Sequence, residues 1–322
     1  MKLKINFCGM PKLFDYENNF FTDVINKYFD GYEISEEPDF LFYSVFGIEH
    51  FKYDNCVKIF ITEEACSPDF NECDYAIAFD CMQFEDRYLR RPLWIEERRF
   101  YNNYYDITDE QALNRKFCNF VYYNDNSGEG TDFRKKFVKR LSEYKRVDCP
   151  GKVLNNMTAN LIGRFDGDWR KSKVDFVMDY KFTIAFENTQ YRGYTTEKIL
   201  HPFVGRSIPI YWGNPLVEKD INKNAIINCN GCEQDLDKIV NKIIEIDQDD
   251  AKYLEMLHAN PMSDDFNVHE LEDFELFVKN ILEKGNKPYN RDPRDFAKRM
   301  GVNSMSRKQK INYFLLGKSK IC

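Results

Sequence analysis

Hydrophobic positions along the first hundred residues come in short runs. Residues 2–7, 32–35, 40–43, 57–61 and 75–79 read as strands, while 19–29 carries a longer helical stripe. Strands separated by helical or loop crossovers predict an α/β domain. Residues 102–116 (NNYYDITDEQALNRK) are polar and lack a long apolar face, which places a linker there. The pattern then resumes with a strand over 117–123, an Asn/Asp/Ser/Gly loop over 124–130, and a helix capped by Thr131 and Asp132. A helix over 169–180 follows, and strands are expected at 182–186, 208–212 and 225–228. Further helices are expected at 195–204, 233–246, 249–259 and 265–284. The reading gives two domains, 1–116 and 117–286, and a polar, basic tail over 287–322. The second domain is organised around Lys181 to Asn222, a strand, polar turn, helix and strand. In open α/β sheets ligands sit beyond the carboxyl ends of the strands, so the turn at 187–194 is where a site is expected.

Composition changes this picture little, but charge sharpens it. The chain has 322 residues, 43% of them hydrophobic and 16% aromatic, enough for two ordinary cores. A formal net charge of −7 argues against nucleic acid as a partner. That charge is uneven: residues 1–116 hold 13 Lys/Arg against 23 Asp/Glu, and residues 131–206 hold 16 against 9. An anionic ligand is therefore expected on the second domain. No run of about 18 apolar residues occurs, and the start MKLKINFCGM reads directly into a strand, so a soluble, cytoplasmic protein is expected. The apolar patch at 311–316 reads either as a docked terminal helix or as a peripheral contact with the inner membrane.

Several chemistries lack support. Ten cysteines are scattered without a framework, which suits a reducing compartment, and Cys229-Asn-Gly-Cys232 has no second pair to complete a zinc site. The four histidines are dispersed, and neither a P-loop nor a Gly-x-Gly-x-x-Gly fingerprint is present. Asp166-Gly167-Asp168 looks like the Asp-x-Asp element of metal-dependent sugar transferases, and equally like a solvated Asp-Gly turn.

Three segments in order, Phe186-Glu-Asn-Thr, Tyr194-Thr-Thr-Glu-Lys-Ile and Ser207-Ile-Pro-Ile-Tyr-Trp-Gly, resemble the donor-binding signature of the α1,3-fucosyltransferases of glycosyltransferase family 10. Thr62-Glu-Glu-Ala-Cys-Ser-Pro-Asp-Phe70, Asp74-Tyr-Ala-Ile-Ala-Phe-Asp80 and Asp86-Arg-Tyr-Leu-Arg-Arg-Pro-Leu93 look like first-domain segments of the bacterial members that build Lewis antigens. Phe117-Cys-Asn-Phe-Val121 and Met256-Leu-His-Ala-Asn-Pro261 match as well. The resemblance implies a GT-B fold, two Rossmann-like domains facing each other across a cleft, with acceptor on the first and GDP-fucose on the second. It further implies an inverting transfer to the 3-hydroxyl of N-acetylglucosamine in galactosyl-N-acetylglucosamine glycans, giving a Lewis x-type product on lipopolysaccharide O-antigen. No cofactor is required, and a divalent metal is at most stimulatory. Another GDP-sugar, or a binding protein without catalysis on the same fold, are the alternatives.

The resemblance also assigns roles. Glu64 is the expected catalytic base; Glu63 stands where relatives often have glycine. Strand alternation lets only one of the two face the cleft. Arg134 and Lys198 match the residues that hold the diphosphate, the first as a paired donor and the second as a point charge. Glu197 matches a donor-contacting glutamate suited to sugar hydroxyls, and Asn188 and Tyr194 match further donor positions. Arg192 and Thr195 depart from the common pattern without removing a catalytic group. Lys135, Lys136, Lys139 and Arg140 read as a solvated basic face.

Overall fold

The computed structural model describes residues 2–98, 105–126, 128–159, 161, 163, 167–264, 266 and 270–289. Asp166, the apolar patch at 311–316 and the tail beyond 289 lie outside the described residues. Among the described residues no helix is long and apolar enough to cross a membrane.

The first sheet has six parallel strands: β1 (Leu3–Cys8), β2 (Tyr32–Ile34), β3 (Phe40–Tyr43), β4 (Val57–Ile61), β5 (Tyr75–Ala78) and β6 (Tyr88–Arg90), in the order β2-β1-β3-β4-β5-β6. Burial on both faces explains why β3 and β5 are apolar at every position rather than alternating. Between β1 and β2 runs α1 (Phe20–Tyr28), started by a capping box in which Asn19 accepts from Thr22 N and Thr22 Oγ1 accepts from Asn19 N.

The second sheet is also parallel: β7 (Lys116–Asn119), β8 (Val147–Asp148), β9 (Tyr180–Phe186), β10 (Ile208–Trp212) and β11 (Ile227–Asn228), in the order β11-β10-β9-β7-β8. Its helices are α4 (Glu129–Ser142), α5 (Trp169–Val177), α6 (Glu197–Val204), α7 (Leu236–Gln248) and α8 (Asp250–His258). All seven positions of β9 are buried, which makes it the spine of this half. The expected caps Thr131 and Asp132 lie inside α4, which starts earlier, after Gly128. A Cβ on Gly130 would stand 2.3 Å from the Asn188 carbonyl oxygen, so the missing side chain lets the first turn of α4 rest on the end of β9. The supposed linker contains α3 (Asp109–Leu113), started by a Thr108–Gln111 capping box and anchored by fully buried Ala112.

Two helices lie where the expected boundaries do not put them. The helix α2 (Leu93–Arg98), inside the predicted first domain, buries Trp94 and Ile95 among Ile199, Phe203, Tyr211 and Val217 of the second. In the other direction α9 (Glu270–Glu283), expected to close the second domain, packs Phe274, Val278, Ile281 and Leu282 against Phe21, Ile25 and the first sheet. Each half lends one helix to the other. An apolar stripe shows that a face is buried, not which neighbour buries it.

The halves also touch directly. Arg90 clamps Asp220 with two bonds of 2.9 and 2.5 Å, and Ser67 Oγ lies 2.7 Å from Tyr191 Oη. Gly193, at φ +85°, slides beneath the Phe79 carbonyl, where a Cβ would come within 2.4 Å of its oxygen.

Candidate active site

The last residue of β9 leads into Glu187, which is fully buried. It survives there because Thr196 at the start of α6 donates to it twice, from its backbone N at 2.8 Å and from its hydroxyl at 2.8 Å, and Lys198 Nζ stands 3.2 Å away. Space for the carboxylate comes from Gly213 on the neighbouring strand's exit, since a Cβ there would sit 2.5 Å from Glu187 Cγ. Lys198 also donates to Thr196 Oγ1 at 3.0 Å and lies 3.5 Å from Glu197. Burial works against its charge, but Glu187 and Glu197 outweigh it and raise the Lys198 pKa, so the ammonium stays protonated. Burial pushes the Glu187 carboxyl up, with Lys198 opposing.

Beside this cluster is a cavity of about 220 Å³ lined by Tyr122, Tyr123, Asn124, Trp169, Lys173, Asn188, Glu197 and Lys198, among others. Three expected donor residues, Asn188, Glu197 and Lys198, thus share one wall. Arg134 lies behind it and is fully buried: it donates to Asn188 Oδ1 at 3.2 Å and to the Asn124 carbonyl, and its guanidinium sits 4.4 Å from the Tyr122 ring centroid. It braces the wall rather than opening into the cavity. Tyr194 is elsewhere again, buried at the joint between the halves with its ring edge-on to Phe79 at 5.2 Å. Lys135 and Arg140 pair with Asp125 and Asp237 at the surface and Lys136 and Lys139 are exposed, as expected of a solvated face. Asp168 accepts from Lys171 N at the start of α5, a capping role.

The opposite bank is the end of β4. The strand stops at Ile61, and Thr62 Oγ1 accepts from Glu64 N at 3.0 Å, which turns the chain. Strand alternation therefore does not apply to Glu63 and Glu64, and both are exposed. Both look toward the second half: Glu64 acts electrostatically on Tyr194, and Glu63 is acted on by Glu197. Glu63 reaches water yet sits deep between the halves, crowded by protein. That desolvation, with Glu96, Glu97 and Glu197 nearby and Arg91 opposing, lifts its carboxyl from 4.5 to about 7.

In the sequence Glu187 stands within the donor motif without a role of its own, and nothing there singles out Trp169 or Lys173. A carboxylate directly after an all-apolar strand, with a glycine following the next strand, was the available signal for Glu187. Trp169 and Lys173 reach the cavity from α5, whose orientation no local pattern discloses.

Two facing parallel α/β halves with a cavity beyond the carboxyl ends of the strands make up a GT-B fold. The chain belongs to glycosyltransferase family 10: residues 112–274 match the family 10 (fucosyltransferase) C-terminal model, and residues 5–96 match the alpha-(1,3)-fucosyltransferase FucT N-terminal domain. It is similar to the alpha-(1,3)-fucosyltransferase FucT of Helicobacter pylori, at 32% identity over 247 residues, covering 66% of this chain and 48% of that protein. A putative fucosyltransferase of Acanthamoeba polyphaga mimivirus is 31% identical over 173 residues, covering 52% of this chain and 27% of its own. The chain thus spans about half or less of these curated relatives. A crystal structure of an alpha1,3-fucosyltransferase with GDP-fucose superposes with a TM-score of 0.65 at 26% identity, covering 87% of this chain and 91% of the other.

Proposed function

We propose that the protein is an inverting α1,3-fucosyltransferase that moves fucose from GDP-fucose to the 3-hydroxyl of N-acetylglucosamine in galactosyl-N-acetylglucosamine glycans. The observation that carries this reading is the pairing of a buried, charged Lys198 beside the cavity with two carboxylates on the facing bank. The acceptor oxygen forms a bond to the anomeric carbon while the bond from that carbon to the diphosphate oxygen breaks. GDP leaves with the electron pair, and the acceptor proton passes to Glu64. Attack opposite the leaving group converts a β-linked donor into an α-linked product.

On the donor side, Lys198 offsets the charge that develops on the diphosphate, and the amino end of α6 adds its partial positive charge. Glu197 and Asn188 accept and donate to sugar hydroxyls. Arg134 reaches the diphosphate once the Asn124 carbonyl yields its bond; Tyr194 carries contact across the joint. The chain's own cations serve the leaving group, so activity is expected to persist with chelator present. A Lewis x-type product on lipopolysaccharide O-antigen, made at the cytoplasmic side of the inner membrane with the tail in peripheral contact, completes the proposal.

Product analysis tests it. Incubation with GDP-fucose and N-acetyllactosamine is expected to give a trisaccharide with fucose on the 3-position of N-acetylglucosamine by linkage analysis. Transfer from GDP-mannose instead, or no transfer with GDP still bound, overturns it.

A further inference from the structure

The loops that follow β1 and β3 carry an apolar surface that the core does not use. Leu13 and Tyr16 on the first loop, and Phe46, Ile48 and Phe51 on the second, are between 43% and 74% exposed. Isolated exposed apolar residues are ordinary; five on two adjoining loops form a patch.

The two loops behave as one piece. Gly9, at φ +58°, has room for no Cβ: such an atom would lie 2.7 Å from the Ser44 carbonyl oxygen and 3.1 Å from Gly47 N. Phe46 N donates to the Gly9 carbonyl at 3.0 Å, and Ser44 N to that of Cys8 at 3.2 Å. Tyr16 is seated by Phe14 and Phe7, with ring centroids 5.4 and 6.1 Å away. His50, stacked on Tyr43 at 4.3 Å, roots the second loop. The surface is therefore formed before any ligand arrives.

Its place in the sheet decides what covers it. All six strands are parallel, and β1, β3 and β4 are neighbours. The loops after β1 and β3 thus leave from the same edge as the Thr62–Glu64 turn, two and one strand spacings away, about 10 and about 5 Å. An occupant there lies against the reacting bank, so a protein partner or lipid surface seated on it would obstruct the cleft. The substrate alone has reason to be there. Across residues 9–19 and 44–56, Lys12 and Lys52 face Asp15, Glu17, Glu49 and Asp54, a balance that repels anions.

We propose that Leu13, Tyr16, Phe46, Ile48 and Phe51 form a shelf for neutral sugars beyond the one that reacts, so that the protein selects an acceptor longer than a disaccharide. The proposal rests on the acceptor reading of the first half given above. Sugar rings present apolar C–H faces that gain by covering such side chains, and specificity here comes from surface rather than from hydrogen bonds.

The test compares kcat/KM for N-acetyllactosamine, for the neutral tetrasaccharide of two such units, and for that tetrasaccharide capped with sialic acid. Wild type is expected to favour the neutral tetrasaccharide over the disaccharide by about tenfold, what roughly 60 Å² of covered apolar surface supplies. The F46A/I48A double variant is expected to bring that ratio to about one. Both side chains are exposed, and unchanged GDP affinity by calorimetry verifies that the variant is folded. A ratio retained in the variant, or absent from wild type, overturns the shelf; equal use of the sialylated acceptor overturns its restriction to neutral sugars. No transfer from GDP-fucose to any acceptor is a separate result, and it overturns the reading on which the shelf rests.

Discussion

The two banks of the cleft handle charge in opposite ways. On the second half Lys198, Glu187 and Thr196 satisfy one another inside a buried cluster, and Arg134 behind the cavity wall is fully buried too. On the first half Glu63 and Glu64 stand on a bend with exposed side chains, Glu63 crowded by neighbouring protein, where the Thr62 hydroxyl accepts from Glu64 N and Cys66 N donates to the Glu64 carbonyl. In the proposed transfer, charge held in place like that of Lys198 suits the stabilisation of a leaving diphosphate, because the ammonium does not have to reorient as the charge grows. A group that must take up a proton, as Glu64 does in the proposed transfer, sits instead where the acceptor and water can reach it.

The sharpest break of this contrast is Glu64→Gln. Turnover is expected to fall about a hundredfold to ten-thousandfold while GDP affinity, measured by calorimetry, is kept. Wild-type turnover in that variant would remove Glu64 from the role of base. Next in size is Glu187→Ala, which strips the second bank of its buried partner and leaves Lys198 poorly compensated. Urea unfolding is expected to show a loss of about 3–5 kcal/mol; a loss within the scatter of ordinary surface substitutions contradicts the description of Glu187 as a structural clamp.

Smaller effects are expected from the donor cations. Arg134→Ala and Lys198→Ala are each expected to weaken GDP-fucose binding about tenfold to a hundredfold, as charge-assisted bonds of about 1.5–3 kcal/mol require. Wild-type affinity in both would sink the donor assignment. The mildest test is Glu63→Gln. With its carboxyl held near 7 rather than 4.5, the folded protein keeps a proton that the unfolded chain has released. Stability from this group is thus present at low pH and declines as pH rises from 4.5 through 7. The melting temperature of wild type is expected to drop more than that of Glu63→Gln between about pH 5 and about pH 8, a span that covers most of that decline. Parallel curves for the two proteins would place Glu63 outside the crowded part of the cleft.

Much of the fold was legible because long-range packing agreed with local pattern. The runs at 40–43, 57–61 and 208–212 are strands β3, β4 and β10 with the expected limits, since each is apolar apart from Lys58 in β4. The helix exchange was not legible, because the stripe on α9 fits either core equally well. Within the site, Asn188, Glu197 and Lys198 come together as their motif suggested. Arg134 does not line the cavity, for a reason invisible in sequence: the Asn124 carbonyl and the Tyr122 ring occupy its guanidinium. The family match singles out Glu64 over Glu63; the added expectation from strand alternation, that only one of them faces the cleft, does not apply because the Thr62 hydroxyl turns the chain directly after Ile61.

The helix exchange bears on the order of events at the ribosome. The first sheet is complete in sequence at Arg90, yet the surface that Phe274, Val278 and Ile281 cover stays bare until α9 has been synthesised. At roughly 5–20 residues per second that interval lasts on the order of ten to forty seconds. Throughout it the amino-terminal half waits with a greasy flank open to chaperones and to other nascent chains. Fragments cut anywhere between the two sheets inherit that exposed flank permanently.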